Sequence, residues 1–297
     1  MSNCKTYNFD IADFNIKILF NNTSLDSINL IPSFKVFLTC EMEEKPLLFK
    51  LFVVSELQEY TTDLEHIRTF DTGNGDIKVD KTITGYYIFE IKDLNNDTCC
   101  KFISNNDFSE CSCKLYGNRV MRSFGLNNAL MLIFAFAGNL KNTLLIHASL
   151  VRHNNYGYAF VAKSGTGKST HTSLWLKHIP GCDLMNDDNP IIRLIDNKPY
   201  IYGSPWSGKT PCYRAIKAKL GAITRIERAS ENNIEKLGTV KAFASLLPCC
   251  SSMKWDKKMY NIYCDNITKI IATTNIYTLH CLPNKEAALL CHKEISE

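Results

Sequence analysis

A lysine opens a helix-like segment directly after a loop that contains two glycines. Residues 158–161 are apolar and predict a strand, and residues 168–178 have the composition of a helix. Between them, Gly165 and Gly167 permit backbone angles at which successive N–H groups converge on one anion. The start of the helix adds the favourable end of its dipole for negative charge. The strand, loop and helix therefore predict a phosphate-binding loop, with Lys168 directed at the anion.

The side chains of this loop divide the contacts to a triphosphate and its metal. Lys168 can reach the β- and γ-phosphates, and Ser169 presents a hydroxyl to Mg²⁺. ATP and Mg²⁺ are therefore the predicted cofactors. Ala162 stands where the pattern has its first glycine, and alanine is small enough to keep the match. The residues predicted to bind the nucleotide are Lys163, Ser164, Gly165, Thr166, Gly167, Lys168, Ser169 and Thr170.

Two adjacent carboxylates, Asp187 and Asp188, follow the helix by one predicted strand at 183–185. Ligands of open α/β sheets collect at the carboxyl ends of parallel strands, so we expect these carboxylates beside the phosphates. Neighbouring strand residues point to opposite faces, which indicates two different roles. We assign Asp187 to Mg²⁺, together with Ser169, and Asp188 to the attacking hydroxyl; the residue types leave the reverse assignment open. The alternative is that Asp187 and Asp188 belong to a solvated turn. The glycine loop makes this alternative less favoured, because it precedes the pair by one helix and one strand.

A second loop, at 202–214, combines glycines and prolines with an aromatic residue and two cations. Such a loop can present Lys209 and Arg214 to the charge of a phosphate in transfer, so both are candidate catalytic residues. A surface turn with Trp206 as a buried anchor is an alternative of equal weight. Arg228, beside an acidic stretch, is interpreted as a solvated side chain.

The run 164–169 with the downstream Asp187 and Asp188 resembles the catalytic core of the HPr kinase/phosphorylase family. The loop is also similar to that of ATP-dependent phosphoenolpyruvate carboxykinase. The likeness extends from His147 onward. It implies a P-loop domain in which the loop serine, Ser169, and one aspartate hold the metal. The other aspartate would serve as base, and His147 would lie near the transferred phosphate.

Two features differ from the pattern of that kinase family. Thr170 stands where the kinases have glutamate, and their basic carboxy-terminal loop has no counterpart in this sequence. Without the resemblance, a histidine such as His147 at the end of an apolar strand is more often structural. By analogy with the family, the predicted acceptor is a serine of a peptide or protein. A small hydroxyl metabolite is the alternative acceptor.

The remaining pattern predicts an α/β protein, α+β overall, with two domains. Residues 1–118 form a β-rich amino-terminal domain, and residues 119–297 form the HPr-kinase/PEP-carboxykinase-like P-loop domain. Helical spacing predicts a buried helix over 122–137, and 233–238 and 240–247 also look helical. The strands predicted in the first domain are 14–20, 34–40, 47–54, 77–79 and 86–91.

Composition narrows the class of protein and its partners. The chain has 297 residues, 45% of them hydrophobic, which is enough for a substantial core. Its 34 basic and 30 acidic residues are spread along the chain and leave +4, so charge indicates neither a nucleic-acid nor a membrane partner. The 13 cysteines are interpreted as free, mostly buried thiols, and the polar start of the chain predicts a cytoplasmic protein. The oligomeric state stays open, a homo-oligomer included.

Two other classes of function stay open on the sequence. One is a nucleotide-binding switch that changes shape without chemistry. The other is a structural or interaction protein whose loop resembles a phosphate site by chance. The kinase hypothesis makes Lys168, Asp187, Asp188 and His147 its central residues.

Overall fold

The computed structural model describes most of the chain and divides it into two compact units. The described residues are 4–21, 25–40, 45–58, 64–163 and 165–296. The units are Met1–Ala137 and Gly138–Glu297. The sequence placed the boundary earlier, between residues 118 and 119.

The described part of the first unit contains eight strands, two short 3-10 helices and one long helix. The strands are β1 (Cys4–Ile11), β2 (Phe14–Asn21), β3 (Leu47–Val53), β4 (Leu64–Asp71), β5 (Asp76–Thr82), β6 (Tyr87–Lys92), β7 (Thr98–Ser104) and β8 (Glu110–Leu115). The 3-10 helices are Ile28–Leu30 and Pro32–Phe37, and the long helix is α1 (Arg119–Asn139). The strands form one sheet in the order β1-β2-β3-β8-β7-β6-β5-β4. The pairs β2–β3 and β3–β8 are parallel and the others antiparallel.

The segment 34–40, predicted as a strand, is instead largely the 3-10 helix Pro32–Phe37. Pro32 sits at the start of this helix, where its fixed φ is suitable and its missing N–H costs nothing. Phe34 and Phe37 are both buried. Their three-residue spacing places them on one side of a 3-10 helix, so the aromatic residues that suggested a strand belong to a different periodicity.

The helix predicted over 122–137 is confirmed as part of α1, and its apolar residues are buried. Leu126, Leu130 and Ile133 are all fully inaccessible. A Cβ on Gly125 would lie 2.6 Å from the carbonyl oxygen of Cys99, so the helix backbone lies directly against β7. This close packing explains why almost all of α1 belongs to the first unit.

Length and composition alone would allow α1 to cross a membrane. It is the one helix in the described ranges with this property, and 56% of its most apolar window is buried. A core helix passes the same test.

The second unit alternates strands and helices, as predicted for a mixed α/β structure. Its strands are β9 (Thr143–Leu145), β10 (Ala148–His153), β11 (Tyr156–Val161), β12 (Asp183–Asp188), β13 (Ile191–Ile195), β14 (Lys198–Tyr202), β15 (Lys217–Arg228), β16 (Asn233–Lys236) and β17 (Asn275–Cys281). Its helices are α2 (Lys168–His178), α3 (Thr239–Leu246), α4 (Lys257–Thr273) and α5 (Lys285–Ile295). The strand order is β12-β10-β11-β15-β14-β13-β9, while β17 pairs with β15 and β16.

The second sheet is covered by helices on both faces. Along β11, Ala159 packs into a cluster that includes Ile267 of α4, and Phe160 packs into a separate cluster with Trp175 of α2. Alternate strand residues point to opposite faces, so α3 and α4 cover one face and α2 and α5 the other. A central strand that is covered on both faces has a continuous run of apolar residues in its sequence, and 158–161 is such a run.

The interpretation of 233–238 as helical is wrong, because 233–236 form strand β16. This strand pairs antiparallel with β17. Its partner lies about 40 residues along the chain, and a local pattern does not report such a pairing. The helix predicted at 240–247 is confirmed as α3.

All 13 cysteines lie within the described residues and are free thiols, as predicted. Seven are buried, and burial raises the pKa of Cys99 to about 11. Such thiols stay protonated and unreactive at neutral pH.

Candidate functional site

Three neighbouring strands bring the predicted site together at one edge of the second sheet. β10 lies between β11 and β12 and runs antiparallel to both, so β11 and β12 run in the same direction. The carboxyl ends of β11 and β12 therefore meet the beginning of β10. The glycine loop follows β11, the paired aspartates end β12, and His147 directly precedes β10. The sequence analysis expected the strand before the glycine loop and the strand before the aspartates to belong to a parallel sheet. Instead, the antiparallel strand β10 lies between them, and its beginning brings His147 to the loop and the aspartates.

The loop between β11 and α2 has the backbone conformation that its glycines predict. Gly165 and Gly167 have φ of +75° and +125°. A Cβ at either position would meet no atom within 4 Å, so the backbone angles, and not crowding, require glycine. Gly167 is the N-cap of α2 and has no side chain to bond the first-turn N–H groups. These groups are suited to an anion. Ser164, predicted to contact the nucleotide, lies outside the described residues, and Lys163 is exposed.

Arg228 is exposed, in agreement with its interpretation as a solvated side chain, but it also binds this loop, which the sequence analysis did not predict. Its Nε donates to the carbonyl oxygen of Thr166 at 3.0 Å, and its Nη2 donates to that of Gly165 at 2.6 Å. Arg228 ends β15, which is parallel to β11, so it reaches the same edge as the loop. The alternation of apolar residues in 217–228 is the signal that would have predicted this strand.

Lys168, His147 and Asp188 form one chain of hydrogen bonds. Lys168 Nζ lies 2.9 Å from His147 Nε2 and 3.3 Å from the carbonyl oxygen of Ala162. His147 Nδ1 lies 3.1 Å from Asp188 Oδ1. An ammonium group only donates, so Nε2 accepts from Lys168 and Nδ1–H donates to Asp188. Burial lowers the pKa of Lys168, and Asp188 is the largest of the causes that oppose this change.

Asp188 has an unusual backbone conformation for a non-glycine residue. Its φ is +133°, in a region that costs a side-chain-bearing residue free energy. Its Oδ2 accepts a hydrogen bond of 2.7 Å from Asn189 Nδ2. Strain of this kind concentrates at functional sites. At φ of +133° the residue departs from the regular extended strand.

Asp187 is almost fully buried, with 5% of its surface exposed, and the described hydrogen-bond partners of its carboxylate are hydroxyls. Its Oδ1 accepts a short hydrogen bond from Ser149 and lies 3.5 Å from Ser169 Oγ. Ser149 sits on β10 directly opposite Asp187 in the strand register. The sequence analysis missed Ser149, although a lone hydroxyl inside an apolar run must find a partner.

The donors around Asp187 fit Mg²⁺. Ser169 and Asp187 offer a hydroxyl and a carboxylate, the hard oxygen ligands that this ion prefers. No group of three or more His, Cys, Asp or Glu residues suited to a metal occurs in the part of the chain that the structure describes. Mg²⁺ usually takes only one or two protein ligands and completes its shell with water and phosphate oxygens.

The second loop is held beside the aspartates by Asn186, a residue that the sequence analysis did not single out. Asn186 is fully buried, and its Nδ2 lies 3.2 to 3.4 Å from the carbonyl oxygens of Ser204, Trp206 and Cys212. Trp206 is 3% exposed, so it is a buried anchor as the alternative interpretation stated. One amide thus holds the loop at three positions.

The tip of this loop contacts the backbone of the paired aspartates. Ser207 Oγ donates to the carbonyl oxygen of Asp187 at 2.9 Å, and Gly208 N donates to the same oxygen at 2.5 Å. A Cβ on Gly208 would lie 3.2 Å from that of Asp188, so this approach favours glycine. Lys209 follows directly and is exposed. Its predicted role near a phosphate stays a prediction.

The structure does not bring Arg214 to this edge. Arg214 Nη1 pairs with Asp183 Oδ2 at 2.9 Å and also donates to the carbonyl oxygen of Leu184. Asp183 is the first residue of β12 and Asp187 the fifth, about 13 Å further along an extended strand. The side chain of Arg214 is therefore bound at the far end of β12, where it is a structural partner.

Comparisons with known proteins identify no family for this chain. No protein-family model matches the chain, and no curated protein matches it. Among solved structures, the chain is similar to the Hpr(Ser) kinase/phosphatase from Coxiella burnetii, with 11% identity and a TM-score of 0.31. The match covers 51% of this chain and 93% of that chain. At this level of similarity we argue the function from the site alone.

Proposed function

We propose that this protein is an ATP- and Mg²⁺-dependent phosphotransferase that moves the γ-phosphate to a hydroxyl acceptor. The observation that carries the proposal is the common edge described above. There an anion-binding loop, the cation Lys168 and the carboxylates of Asp187 and Asp188 lie together. This set matches the needs of phosphoryl transfer, in which positioning and charge neutralisation supply most of the rate.

The loop would bind the phosphates through backbone and charge. The first-turn N–H groups of α2 and the positive-φ turns at Gly165 and Gly167 would face one anion. Lys168 starts the same helix and would pair with the outer phosphates. Arg228 stiffens the loop by binding its carbonyl oxygens, which keeps those oxygens directed away from the anion.

Ser169 and Asp187 would hold Mg²⁺ beside the bound phosphates. Their oxygens lie 3.5 Å apart, a separation that one ion can bridge. When bound, Mg²⁺ neutralises charge that develops on the phosphate oxygens. Ser149 fixes the orientation of the Asp187 carboxylate from the neighbouring strand. This proximity supports Asp187 as the metal ligand of the pair.

Asp188 would align the acceptor and receive its proton. Its carboxylate is 32% exposed, so an incoming hydroxyl can reach it, and His147 and Asn189 hold it in place. The hydroxyl would donate its hydrogen bond to the carboxylate and transfer the proton there as its oxygen bonds to the γ-phosphorus, while the bond from that phosphorus to the β–γ bridging oxygen breaks and ADP leaves. His147 links Asp188 to Lys168, which couples the base to the residue that binds phosphate. Lys209, next to Gly208 in the chain, would add positive charge near the transferred phosphate.

We propose a serine of a peptide or protein as the acceptor, with a small hydroxyl metabolite as the alternative. The loop held by Asn186 flanks the aspartates, and its exposed Lys209 would meet the acceptor first. Such loops, positioned by a rigid scaffold, commonly carry specificity.

Transfer of label from γ-³²P-ATP to serine-containing peptides tests this proposal. We expect Mg²⁺-dependent labelling by the wild-type protein and a loss of about 100-fold or more in Asp188→Asn, because the base is removed. Asp183→Asn, a carboxylate at the far end of the same strand, is the matched control and should retain activity. Nucleotide binding with neither transfer nor hydrolysis, for any peptide or small hydroxyl compound, would contradict the proposal and favour a switch protein.

A further inference from the structure

A cavity adjoins the glycine loop and the first turn of α2. Its volume is about 550 Å³, within the range of small-molecule sites. Thr166, Gly167 and Thr170 line one end, so the cavity begins at the loop and the first turn of α2. The aspartates and His147 are not among its lining residues.

The far walls of this cavity are apolar. They come from α2, from the ends of β15 and β17 and from the residues that follow these two strands. The apolar lining residues are Leu174, Ile226, Ala229, Cys281, Leu282 and Pro283. A phosphate group gains nothing from such walls, whereas a flat, weakly polar ring does.

His171 lines the cavity beside the glycine loop. It is 2% exposed, and its Nε2 accepts a hydrogen bond of 3.1 Å from Trp175 Nε1. This bond holds the ring in place, so His171 forms a fixed part of the cavity wall.

Arg228 gives the cavity one planar surface near the loop. Its two hydrogen bonds to loop carbonyl oxygens fix the guanidinium group, and it lines the cavity. A fixed guanidinium plane stacks on aromatic rings. The cavity thus combines a stacking surface with apolar walls.

We propose that this cavity binds the base and ribose of the nucleotide. The inference rests on the proposed function, because it places the phosphates of the same molecule on the loop. Continuity between cavity and loop through Thr166, Gly167 and Thr170 is what selects this occupant. The loop would then supply affinity for phosphate, and the cavity would supply selection for a nucleoside.

Calorimetric titration of Mg-ATP and of Mg-tripolyphosphate separates the two contributions. We expect the wild-type protein to bind ATP about tenfold more tightly than tripolyphosphate, or better, because only ATP uses the cavity. Ala229→Phe fills the cavity and Leu174→Ala removes part of its wall. Both variants should reduce the affinity ratio of ATP to tripolyphosphate and leave tripolyphosphate binding unchanged.

Leu176→Ala is the matched control, since Leu176 lies on the same helix and does not line the cavity. It should keep the wild-type ratio. Two results would overturn the inference but not the proposed function. One is equal affinity of the wild-type protein for ATP and tripolyphosphate. The other is an affinity ratio in both cavity variants that equals the wild-type ratio. Absence of binding by either compound would overturn the proposed function and this inference with it.

Discussion

Strand β12 carries aspartates at both ends, and their partners differ. At its start, Asp183 accepts hydrogen bonds from Arg152 at 2.8 and 3.1 Å and from Arg214 at 2.9 Å. At its end, Asp187 contacts the hydroxyls of Ser149 and Ser169. The charge at the start of the strand is therefore neutralised by the protein itself, whereas the charge of Asp187 has no cation as a direct described partner.

The two aspartates also differ in how far their side chains are exposed to water. The side chain of Asp183 is 38% exposed, so water also stabilises its charge. Asp187 is 5% exposed, and a buried carboxylate normally needs a paired cation. Hydroxyl donors stabilise it only in part. A carboxylate kept in this state is suited to a cation from solution, which is the physical reason to place Mg²⁺ there.

The strongest expected difference between the two ends is in catalysis. Asp187→Asn should reduce Mg²⁺-dependent transfer or hydrolysis by about 1,000-fold, since it removes a metal ligand. Asp183→Asn should change it by less than about threefold, because that end is structural. Initial rates at saturating Mg-ATP measure both. Similar losses in the two variants would remove the functional distinction along β12.

A smaller effect is expected where Ser149 orients Asp187. Ser149→Ala should raise the Mg²⁺ concentration for half-maximal activity by about tenfold, since residues that orient metal ligands typically contribute this much. Ser173→Ala is the control, because the described hydrogen bond of Ser173 Oγ goes to the backbone carbonyl oxygen of Ser169 on the same helix and not to the Asp187 carboxylate. The readout is a Mg²⁺ titration at fixed ATP. A uniform loss of rate with an unchanged Mg²⁺ requirement would show that Ser149 only supports the fold.

Stability should respond in the opposite order from catalysis. Asp183→Asn should lower the free energy of unfolding by about 1 to 2 kcal/mol, after allowance for solvent screening, because Arg152 and Arg214 lose their shared partner. Asp188→Asn should change it by less than about 0.5 kcal/mol, because the Asp188 carboxylate is 32% exposed and water screens its contact with His147. Urea denaturation measures both changes. Stabilisation by Asp183→Asn would contradict the structural role of that end.

The pH dependence of the Asp183 contribution is the smallest expected effect. Burial acts to raise the pKa of Asp183, but the hydrogen bonds and charges of Arg152 and Arg214 outweigh it, so the pKa is lowered. A carboxyl group whose pKa is lower in the folded state stabilises the fold fully at pH values above its unfolded-state pKa. This contribution to the free energy of unfolding is lost as the pH falls through the folded-state pKa. The stability gap between wild type and Asp183→Asn should therefore narrow below about pH 4. A gap that is constant from pH 7 to pH 3 would exclude this ion pair as its source.

The parts of the site that are encoded locally could be predicted from the sequence. Gly165, Gly167 and Lys168 define the loop within a few residues, and the aspartates follow at a distance that one helix and one strand explain. The buried helix over 122–137 could be predicted for the same reason, because the periodic apolar residues that indicate it lie within one continuous segment. Each of these signals depends on neighbours in the chain.

The parts that depend on distant pairings could not be predicted. The antiparallel insertion of β10 between β11 and β12 decides that Ser149 faces Asp187, 38 positions away. Arg228 reaches the loop from 63 positions away because β15 pairs with β11. Arg214 looked like a phosphate ligand by its type, and only the fold shows that Asp183 binds it. Residue type indicates the chemistry that is available, and strand order decides where it is used.

The central claim is that the Asp187 end of β12 holds a metal–phosphate complex, and the Mg²⁺ dependence of nucleotide binding tests it most directly. ATP should be titrated calorimetrically into wild type and Asp187→Asn, each with and without Mg²⁺. We predict that Mg²⁺ tightens ATP binding to the wild type by about tenfold or more and has little effect on the variant. No binding heat with the wild-type protein, or the same Mg²⁺ effect in both proteins, would contradict the account.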